Sequence, residues 1–229
     1  QPDCNMPSGE SFVRQILLGK NYFRDKFGVE PTTAINFDPF GHSQGLVQIL
    51  AKSGYDSYLF GRPAAEDLKL PNHDFIWEGC DGSRILASRF IGWYNSQLGK
   101  IDKKVHDWIK LHPHPDFGTL LWGVGNHGGG ASRIDLRKIK KLMRELKDVE
   151  LIHSTPEAYF KEVKRIRGSL KTVRRDLNPW GIGCYTSMVR IKQKHRRLEN
   201  ELYMTEKMCS TAAYQGLLQY PEAELHNAT

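Results

Sequence analysis

Asn36-Phe37-Asp38-Pro39-Phe40-Gly41-His42-Ser43 is the stretch that decides the fold, because it leads from a strand through a turn into a helix. Residues 33–37 are β-branched or apolar in the main, as in a buried strand, and apolar residues at helical spacing follow over 46–50. The proline of the stretch cannot donate to a sheet, and its glycine permits a tight turn. Asp38 is therefore predicted at the carboxyl end of a strand, where α/β folds open their ligand crevices. The alternative is that Asp38 only caps the turn.

The composition is that of an ordinary globular protein. The 229 residues are 39% hydrophobic and 26% charged, enough for one large domain or for one domain with a smaller second one. No apolar run approaches the roughly 20 residues that span a bilayer, so we predict no membrane partner. The four cysteines are scattered without a CxxC pair, which is typical neither of a disulfide framework nor of a zinc ribbon. Thiols in a reducing compartment are the expected state.

The formal net charge of +7 raises the question of a nucleic-acid partner. The excess of Lys and Arg is concentrated in residues 161–175 and 190–197, where it fits the solvent-facing sides of helices. The sequence carries no nucleic-acid-binding motif, so we predict no nucleic-acid partner.

Strand and helix signals alternate along most of the chain. The predicted elements are a helix over 8–19 closed by Gly19, strands over 33–37 and 56–60, a hairpin about Asp81-Gly82, a strand over 119–124, a helix over 136–146, a short strand at 151–152 and a helix capped by Thr155. This alternation predicts an α/β fold with a mainly parallel sheet.

The pattern becomes purely helical after the break at Pro179–Gly183. We predict an α/β domain over residues 1–175 and the start of a helical domain over residues 176–229. The long helix of that second part has an apolar stripe, which it cannot bury alone and must dock against another element.

Four polar sites follow predicted strands, namely Asp38, Arg62, Asn126-His127 and His153. Because the carboxyl ends of parallel strands meet at one edge of a sheet, these side chains are expected to converge. Arg62 beside Asp38 would keep that carboxylate ionised. Taken singly, each could instead make a hydrogen bond that orders a loop, and this alternative weighs most for His153.

The glycine-rich stretch Gly123–Gly130 is a candidate for binding a ligand through its backbone. It lacks the GK[ST] ending of a phosphate-binding P-loop and matches the dinucleotide motif GxGxxG only loosely. The glycines fit better with a backbone held close to a bound ligand.

Six segments together resemble glycoside hydrolase family 38, the α-mannosidases, in its bacterial branch. They are residues 6–15, 38–43, 77–84, 125–130, 154–160 and 183–187, and the resemblance runs in order from about residue 2 to residue 215. It implies an α/β-barrel-like catalytic domain with a mainly parallel sheet, followed by an α-helical segment.

The resemblance implies a retaining α-mannosidase that is assisted by zinc and acts on an α-mannoside or a glycan. In the family the aspartate of the DPFGHS turn is both the nucleophile and a zinc ligand, which corresponds to Asp38. A retaining glycosidase needs this carboxylate roughly 5 Å from its acid/base partner, and zinc would orient the sugar hydroxyls. The family's arginine beside the nucleophile corresponds to Arg62, and Phe40 and His153 are further candidates for substrate binding.

The chain departs from the family in its zinc ligands. The others come from an N-terminal His-x-Asp motif and from a histidine in a Gln-Phe-His-Asp segment, and neither is found at those places in this sequence. A lone carboxylate does not hold zinc firmly. We therefore expect a fragment that is inactive by itself and binds no stoichiometric zinc.

The second departure concerns the acid/base. Many relatives carry an aspartate where this chain has Asn126, whose amide cannot donate and recover a proton. Asn126 and His127 are the catalytic candidates in this loop, with Asp135 or an acid outside the chain as alternatives. The alternative function is a non-catalytic carbohydrate-binding relative that has lost zinc and the acid/base. We expect a cytoplasmic location in a bacterium, and homo-oligomerisation stays open.

Overall fold

The central element of the fold is a five-stranded sheet that is parallel except for one pair of strands. The computed structural model describes residues 3–111, 116–125 and 129–228. The sheet has the order β1-β2-β4-β3-β7, with β1 Thr33–Asn36, β2 Ser57–Phe60, β3 Asp74–Glu78, β4 Arg84–Arg89 and β7 Thr172–Val173. Strands β3 and β4 form the predicted antiparallel hairpin, and the other three pairs are parallel. The α/β class with a mainly parallel sheet is thus confirmed.

The helices cover both faces of this sheet and form the C-terminal part of the chain. They are α1 Gly9–Phe27, α2 Gly45–Lys52, α3 Ile101–Leu111, α4 Arg133–Glu145, α5 Pro156–Arg165, α6 Gly183–Thr186, α7 Val189–Tyr214 and α8 Glu222–Ala228. Two short strands, β5 Val124–Gly125 and β6 Gly129–Gly130, pair with each other. In the described part of the chain, none of the helices is both long and apolar enough to cross a membrane.

The core is divided by the sheet, because successive residues of a strand point to opposite faces. On β2, Tyr58 and Phe60 pack with Trp77 and with the buried face of α2. Leu59 points the other way and packs with Phe160 and the rest of the buried face of α5. Covering both faces with helices is what allows every residue of β2 to be apolar or fully buried.

Several predicted boundaries and elements differ from the structure. The first helix does not close at Gly19 but continues to Phe27, where Gly28 adopts the left-handed conformation with φ 67°. A glycine inside a helix costs only about 1 kcal/mol, so it does not end a helix that packs well elsewhere. The predicted strand over 119–124 is reduced to Val124–Gly125, and residues 151–152 form no strand.

The long helix α7 contacts α1 through polar side chains, whereas Ile191, Leu198 and Met208 of its predicted apolar stripe stay exposed. The contacts are largely polar: Glu199 accepts hydrogen bonds from the Ser8 amide at 3.0 Å and from Ser11 Oγ at 2.5 Å. Arg14 and Glu206 form a two-point ion pair with both distances at 2.5 Å. The proposed domain boundary at residue 175 stays a prediction.

Candidate functional site

The geometry of the site begins with the parallel pairing of β1 and β2. Asn36 lies opposite Phe60 in this register, so the residues two positions beyond each strand, Asp38 and Arg62, are neighbours. The Arg62 amide also donates to the Phe37 carbonyl at 3.2 Å, which continues the pairing past the strand ends. The Arg62 Nε forms an ion pair with Asp38 Oδ1, and both side chains are a little over a quarter exposed. The predicted meeting of these two strand-end residues is therefore confirmed.

Two tryptophans hold the Arg62 guanidinium in place. Its central carbon lies 4.7 Å from the ring centroid of Trp93 and 4.4 Å from that of Trp180, both within the range of cation–π attraction. Trp93 follows β4, whereas Trp180 comes from the segment between β7 and α6. These stacked rings restrict the directions in which the guanidinium can point, so it remains on Asp38.

Tyr94 is a third group near Asp38 and was not predicted from the sequence. Burial together with the negative charge of Asp38 raises the pKa of Tyr94, which lies near that carboxylate. The Tyr94 ring stacks on Phe37, with 6.1 Å between the centroids. The signal that could have found Tyr94 is its position just beyond β4, which lies next to β2 in the sheet.

His42 links the turn that follows β1 to Arg62 through hydrogen bonds. The residue is fully buried, and its Nε2–H donates to the Arg62 carbonyl at 2.6 Å while Nδ1 accepts from the Tyr58 hydroxyl at 2.6 Å. Burial lowers the pKa of His42 to about 4. The neutral imidazole therefore ties the turn after β1 to the backbone of the residue that pairs with Asp38.

Phe40 lies at the rim of the same turn, with 37% of its surface exposed. Its ring meets Tyr185 edge to face at 6.4 Å, and a Cβ on Gly181 would come within 2.7 Å of it. Gly181 has φ 54°, so the absence of a side chain serves both its conformation and this close approach. The role of Phe40 in substrate binding stays a prediction.

The two short strands of the glycine-rich stretch pair with each other, and residues 126–128 between them lie outside the described part of the chain. Val124 pairs with Gly130 and Gly125 with Gly129, and a Cβ on Gly129 would lie 1.7 Å from the Val124 carbonyl. The pairing of the two strands therefore leaves no room for a side chain at Gly129, and this glycine is required without any bound ligand. The predicted catalytic residues Asn126 and His127 lie outside the described residues.

Strand β5 and the residue before it are joined to the segment that carries Tyr94. Asn95 Nδ2 donates to the Gly125 carbonyl at 2.5 Å, and the Ser96 amide donates to the Gly123 carbonyl at 2.7 Å. The residues that lead into the glycine-rich loop are therefore fixed to the loop whose tyrosine lies near Asp38.

The two remaining sequence candidates lie elsewhere. Asp135 is completely buried and accepts hydrogen bonds from the Gly99 and Ile101 amides at 3.1 and 3.2 Å and from Ser132 Oγ at 2.5 Å. These bonds order the starts of α3 and α4, which argues against Asp135 as the acid/base. His153 is exposed ahead of α5, and no contact within the described ranges joins it to Asp38 or Arg62. Its part in substrate binding stays a prediction.

The donor set around Asp38 is too small for a metal site by itself. Across residues 3–111, 116–125 and 129–228, no group of three or more His, Cys, Asp or Glu side chains is arranged to hold an ion. Asp38 can supply one carboxylate ligand. A zinc site requires three or four ligands, so the described residues alone do not fit the metal.

Comparison with known proteins gives one consistent family. The sequence model described as the glycosyl hydrolases family 38 N-terminal domain matches residues 1–182. The chain is 32% identical over 219 residues to "Alpha-mannosidase G" of Dictyostelium discoideum, covering 91% of this chain and 20% of that protein. It is 31% identical over 232 residues to "Alpha-mannosidase 2C1" of Mus musculus, covering 98% of this chain and 22% of that protein.

A solved structure shares the fold. It is a protein in glycosyl hydrolase family 38 from Enterococcus faecalis, which superposes with a TM-score of 0.65 and 21% identity over 96% of this chain and 24% of that one. The chain thus spans about a fifth of the length of the curated relatives given above.

Proposed function

Because this chain belongs to glycosyl hydrolase family 38, we propose that it carries the nucleophile of a retaining α-mannosidase, and that this nucleophile is Asp38. One arrangement supports the proposal: the Asp38 carboxylate projects beyond β1 with Arg62 paired to one oxygen and with Tyr94 near enough for the charge of Asp38 to raise the pKa of the phenol. The curated relatives that match are named α-mannosidases. The substrate that we propose is accordingly a terminal α-mannosyl group of a glycan or a simpler mannoside.

In the proposed reaction, an Asp38 oxygen attacks the anomeric carbon and displaces the aglycone oxygen, which takes a proton from an acid. A glycosyl ester of Asp38 results. A water molecule then attacks the same carbon, gives its proton to the same group acting as a base, and releases Asp38. Arg62 holds the carboxylate in a fixed direction, so little reorganisation is needed when charge moves from it.

The acid/base in this proposal is His127. Asn126 has no proton that it can transfer and regain, whereas an imidazole transfers protons readily near neutral pH. Strand β5, which precedes these two residues in the chain, is bonded to the segment of Tyr94 through Asn95 and the Gly125 carbonyl. We assign to Asn126 the orientation of a sugar hydroxyl rather than a proton transfer.

Zinc is part of the proposal only as a group that Asp38 would help to bind. In the complete site the metal would act as a Lewis acid that orients the sugar hydroxyls. The described residues do not form such a site, so the role of Asp38 as nucleophile is argued without it.

The second candidate is a carbohydrate-binding protein without catalysis. The observation in its favour is Asn126, which stands where many family members have a carboxylic acid. The intact pair of Asp38 and Arg62 favours the enzyme, because binding alone does not require a fixed carboxylate at the anomeric carbon.

The decisive experiment is hydrolysis of an aryl α-mannoside by the protein expressed from its complete gene, with and without the substitution Asp38→Asn. We expect kcat to fall by at least about 10³-fold, because the amide cannot form the glycosyl ester. Asp25→Asn, an exposed aspartate on α1, is the matched control and should retain activity. A 2-fluoro-mannoside should label Asp38 covalently. Retained hydrolysis by the Asp38→Asn protein would refute the nucleophile, and an inactive wild type that still binds mannose would favour the carbohydrate-binding alternative.

A further inference from the structure

Lys104, on the first turn of α3, is a half-buried lysine whose ammonium donates hydrogen bonds to three backbone carbonyls. Its Nζ donates to the carbonyls of Trp93, Asn95 and Leu121, the last two at 2.7 Å. An ammonium group has three N–H donors and no acceptor. Lys104 therefore has no donor left for a substrate or an anionic ligand.

The three carbonyls belong to two segments that meet at the candidate site. Trp93 and Asn95 flank Tyr94 in the chain, so Lys104 holds the peptide units on both sides of the residue that lies near Asp38. The third carbonyl, from Leu121, belongs to the segment that leads into β5, and Leu121 packs in the apolar cluster under α5. Lys104 thus ties a loop with no strand pairing of its own to a part of the chain that is anchored in the core.

We propose that Lys104 is a positioning residue, whose ammonium holds the Trp93–Asn95 loop as a clamp, so that Tyr94 stays near Asp38 and the Trp93 ring stays on Arg62. The inference deepens the proposed function, since its consequence for catalysis depends on Asp38 as nucleophile. Its structural content does not depend on that assignment. Burial lowers the pKa of Lys104 to about 8, so the ammonium form with all three donors prevails at pH 7.

The clamp differs from a merely stabilising contact in what it does to the folded state. A contact that only stabilises the loop would change the free energy of unfolding and leave Tyr94 unchanged in the molecules that remain folded. A positioning contact changes the surroundings of the Tyr94 phenol in the folded protein itself. The Cζ carbon of tyrosine reports this difference, because its NMR shift depends on the charge and hydrogen bonding around the phenol.

The test is ¹³C NMR at pH 7 on protein labelled at tyrosine Cζ, with Tyr94→Phe to assign the signal. Asp38→Asn, which removes the negative charge near Tyr94, supplies the direction of change when the phenol loses that carboxylate. We expect Lys104→Met, which keeps an unbranched side chain one atom shorter and removes all donors, to move the Tyr94 signal in that same direction. Lys103→Met is the matched control, since Lys103 is exposed and, among the described residues, pairs only with Asp107 on its own helix.

A Tyr94 signal in folded Lys104→Met that coincides with the wild-type signal would overturn the proposal. If Lys104→Met does not fold, Lys104→Arg decides: it keeps the charge, but its donors lie in one plane at the end of a longer side chain and do not match the three carbonyl positions that Lys104 meets, so the same movement is expected in part. In the active protein, Lys104→Met should lower kcat about tenfold or more with little change in KM. The NMR result needs no substrate, so a failure of the clamp is distinguishable from a failure of the proposed activity.

Discussion

At the scale of single residues, the turn after β1 depends on a histidine that cannot readily take up a proton. The one N–H of His42 donates to the Arg62 carbonyl, and the other ring nitrogen accepts a hydrogen bond from the Tyr58 hydroxyl. Protonation would place an N–H of His42 against the Tyr58 hydroxyl, which donates to that nitrogen in the neutral state. It would also put a charge into a fully buried site. The backbone position of Arg62, and through it the ion pair with Asp38, is thus tied to a neutral imidazole.

This arrangement predicts an acid-sensitive fold. The pKa of His42 is lowered by burial to about 4 from 6.5, so the unfolded chain binds a proton in this window that the folded chain does not. The free energy of unfolding should therefore fall by about 3 kcal/mol as the pH drops from 6.5 to 4. Urea unfolding of wild type and His42→Gln across this range measures the effect, since glutamine does not titrate.

The expected outcome is that the stability difference between wild type and His42→Gln shrinks by that amount on acidification. His153→Gln, an exposed histidine ahead of α5, should follow the wild-type curve. A difference between wild type and His42→Gln that stays constant from pH 6.5 to pH 4 would contradict the prediction.

At the scale of elements, the α1–α7 contact is centred on a buried glutamate. Burial opposes the ionisation of Glu199, yet hydrogen bonds from Ser11 and from the Ser8 amide, with the charge of Arg196, lower its pKa. The Glu199 carboxylate thus accepts hydrogen bonds at the N-terminus of α1, where the first amides have no partner within the helix. Removing the charge leaves these donors poorly paired.

We expect Glu199→Gln to lower the free energy of unfolding by about 1–3 kcal/mol, because a buried charged hydrogen bond is lost. Thermal or urea unfolding measures it. Glu201→Gln is the matched control on the same helix: its carboxylate is exposed, has Arg197 as its one ion-pair partner in the described part of the chain, and should change stability by less than about 0.5 kcal/mol. Equal effects of the two substitutions would show that α7 is not docked through Glu199.

The elements that the sequence predicted well are those whose signal is local. Strands β1 and β2, the β3–β4 hairpin with its Asp81-Gly82 turn, and the start of α5 at Thr155 follow from patterns within a few residues. The predicted strand over 119–124 was wrong because its carbonyls at Leu121 and Gly123 bond to Lys104 and to the Ser96 amide rather than to a strand. Such partners are distant in sequence, and no local pattern reveals them.

The residues of the site were likewise predictable where the signal lies close by in the sequence, and not where it depends on distant contacts. Asp38 and Arg62 were predictable because parallel strands bring their carboxyl ends together, and the structure places them in contact. Tyr94, Trp93 and Trp180 were missed, since they reach the site from segments whose positions depend on the clamp at Lys104 and on the docking of the chain after β7. Aromatic residues are also common in cores, so their type alone did not mark them.

At the scale of the whole molecule, the candidate site is assembled from four segments spread over 38–180. The loops after β1, β2 and β4 supply the carboxylate, the guanidinium and the Trp93–Tyr94 pair, and the segment before α6 supplies Trp180. We therefore expect any substitution that destabilises the sheet, or the segment between β7 and α6, to change the geometry of the site indirectly. Kinetic tests of distant variants need a stability measurement beside them.

The last prediction concerns metal binding by the whole chain. The described residues present Asp38 as a single carboxylate without a cluster of further ligands, and one carboxylate does not hold zinc firmly. We expect the isolated 229-residue polypeptide, after exchange into metal-free buffer and addition of one equivalent of zinc, to retain much less than one zinc per chain by elemental analysis after gel filtration. Its thermal stability should be unchanged by the metal, because a ligand stabilises only the state that binds it. One tightly held zinc per chain would contradict this, and loss of that zinc in Asp38→Ala would then place the metal at Asp38 with ligands from outside the described residues.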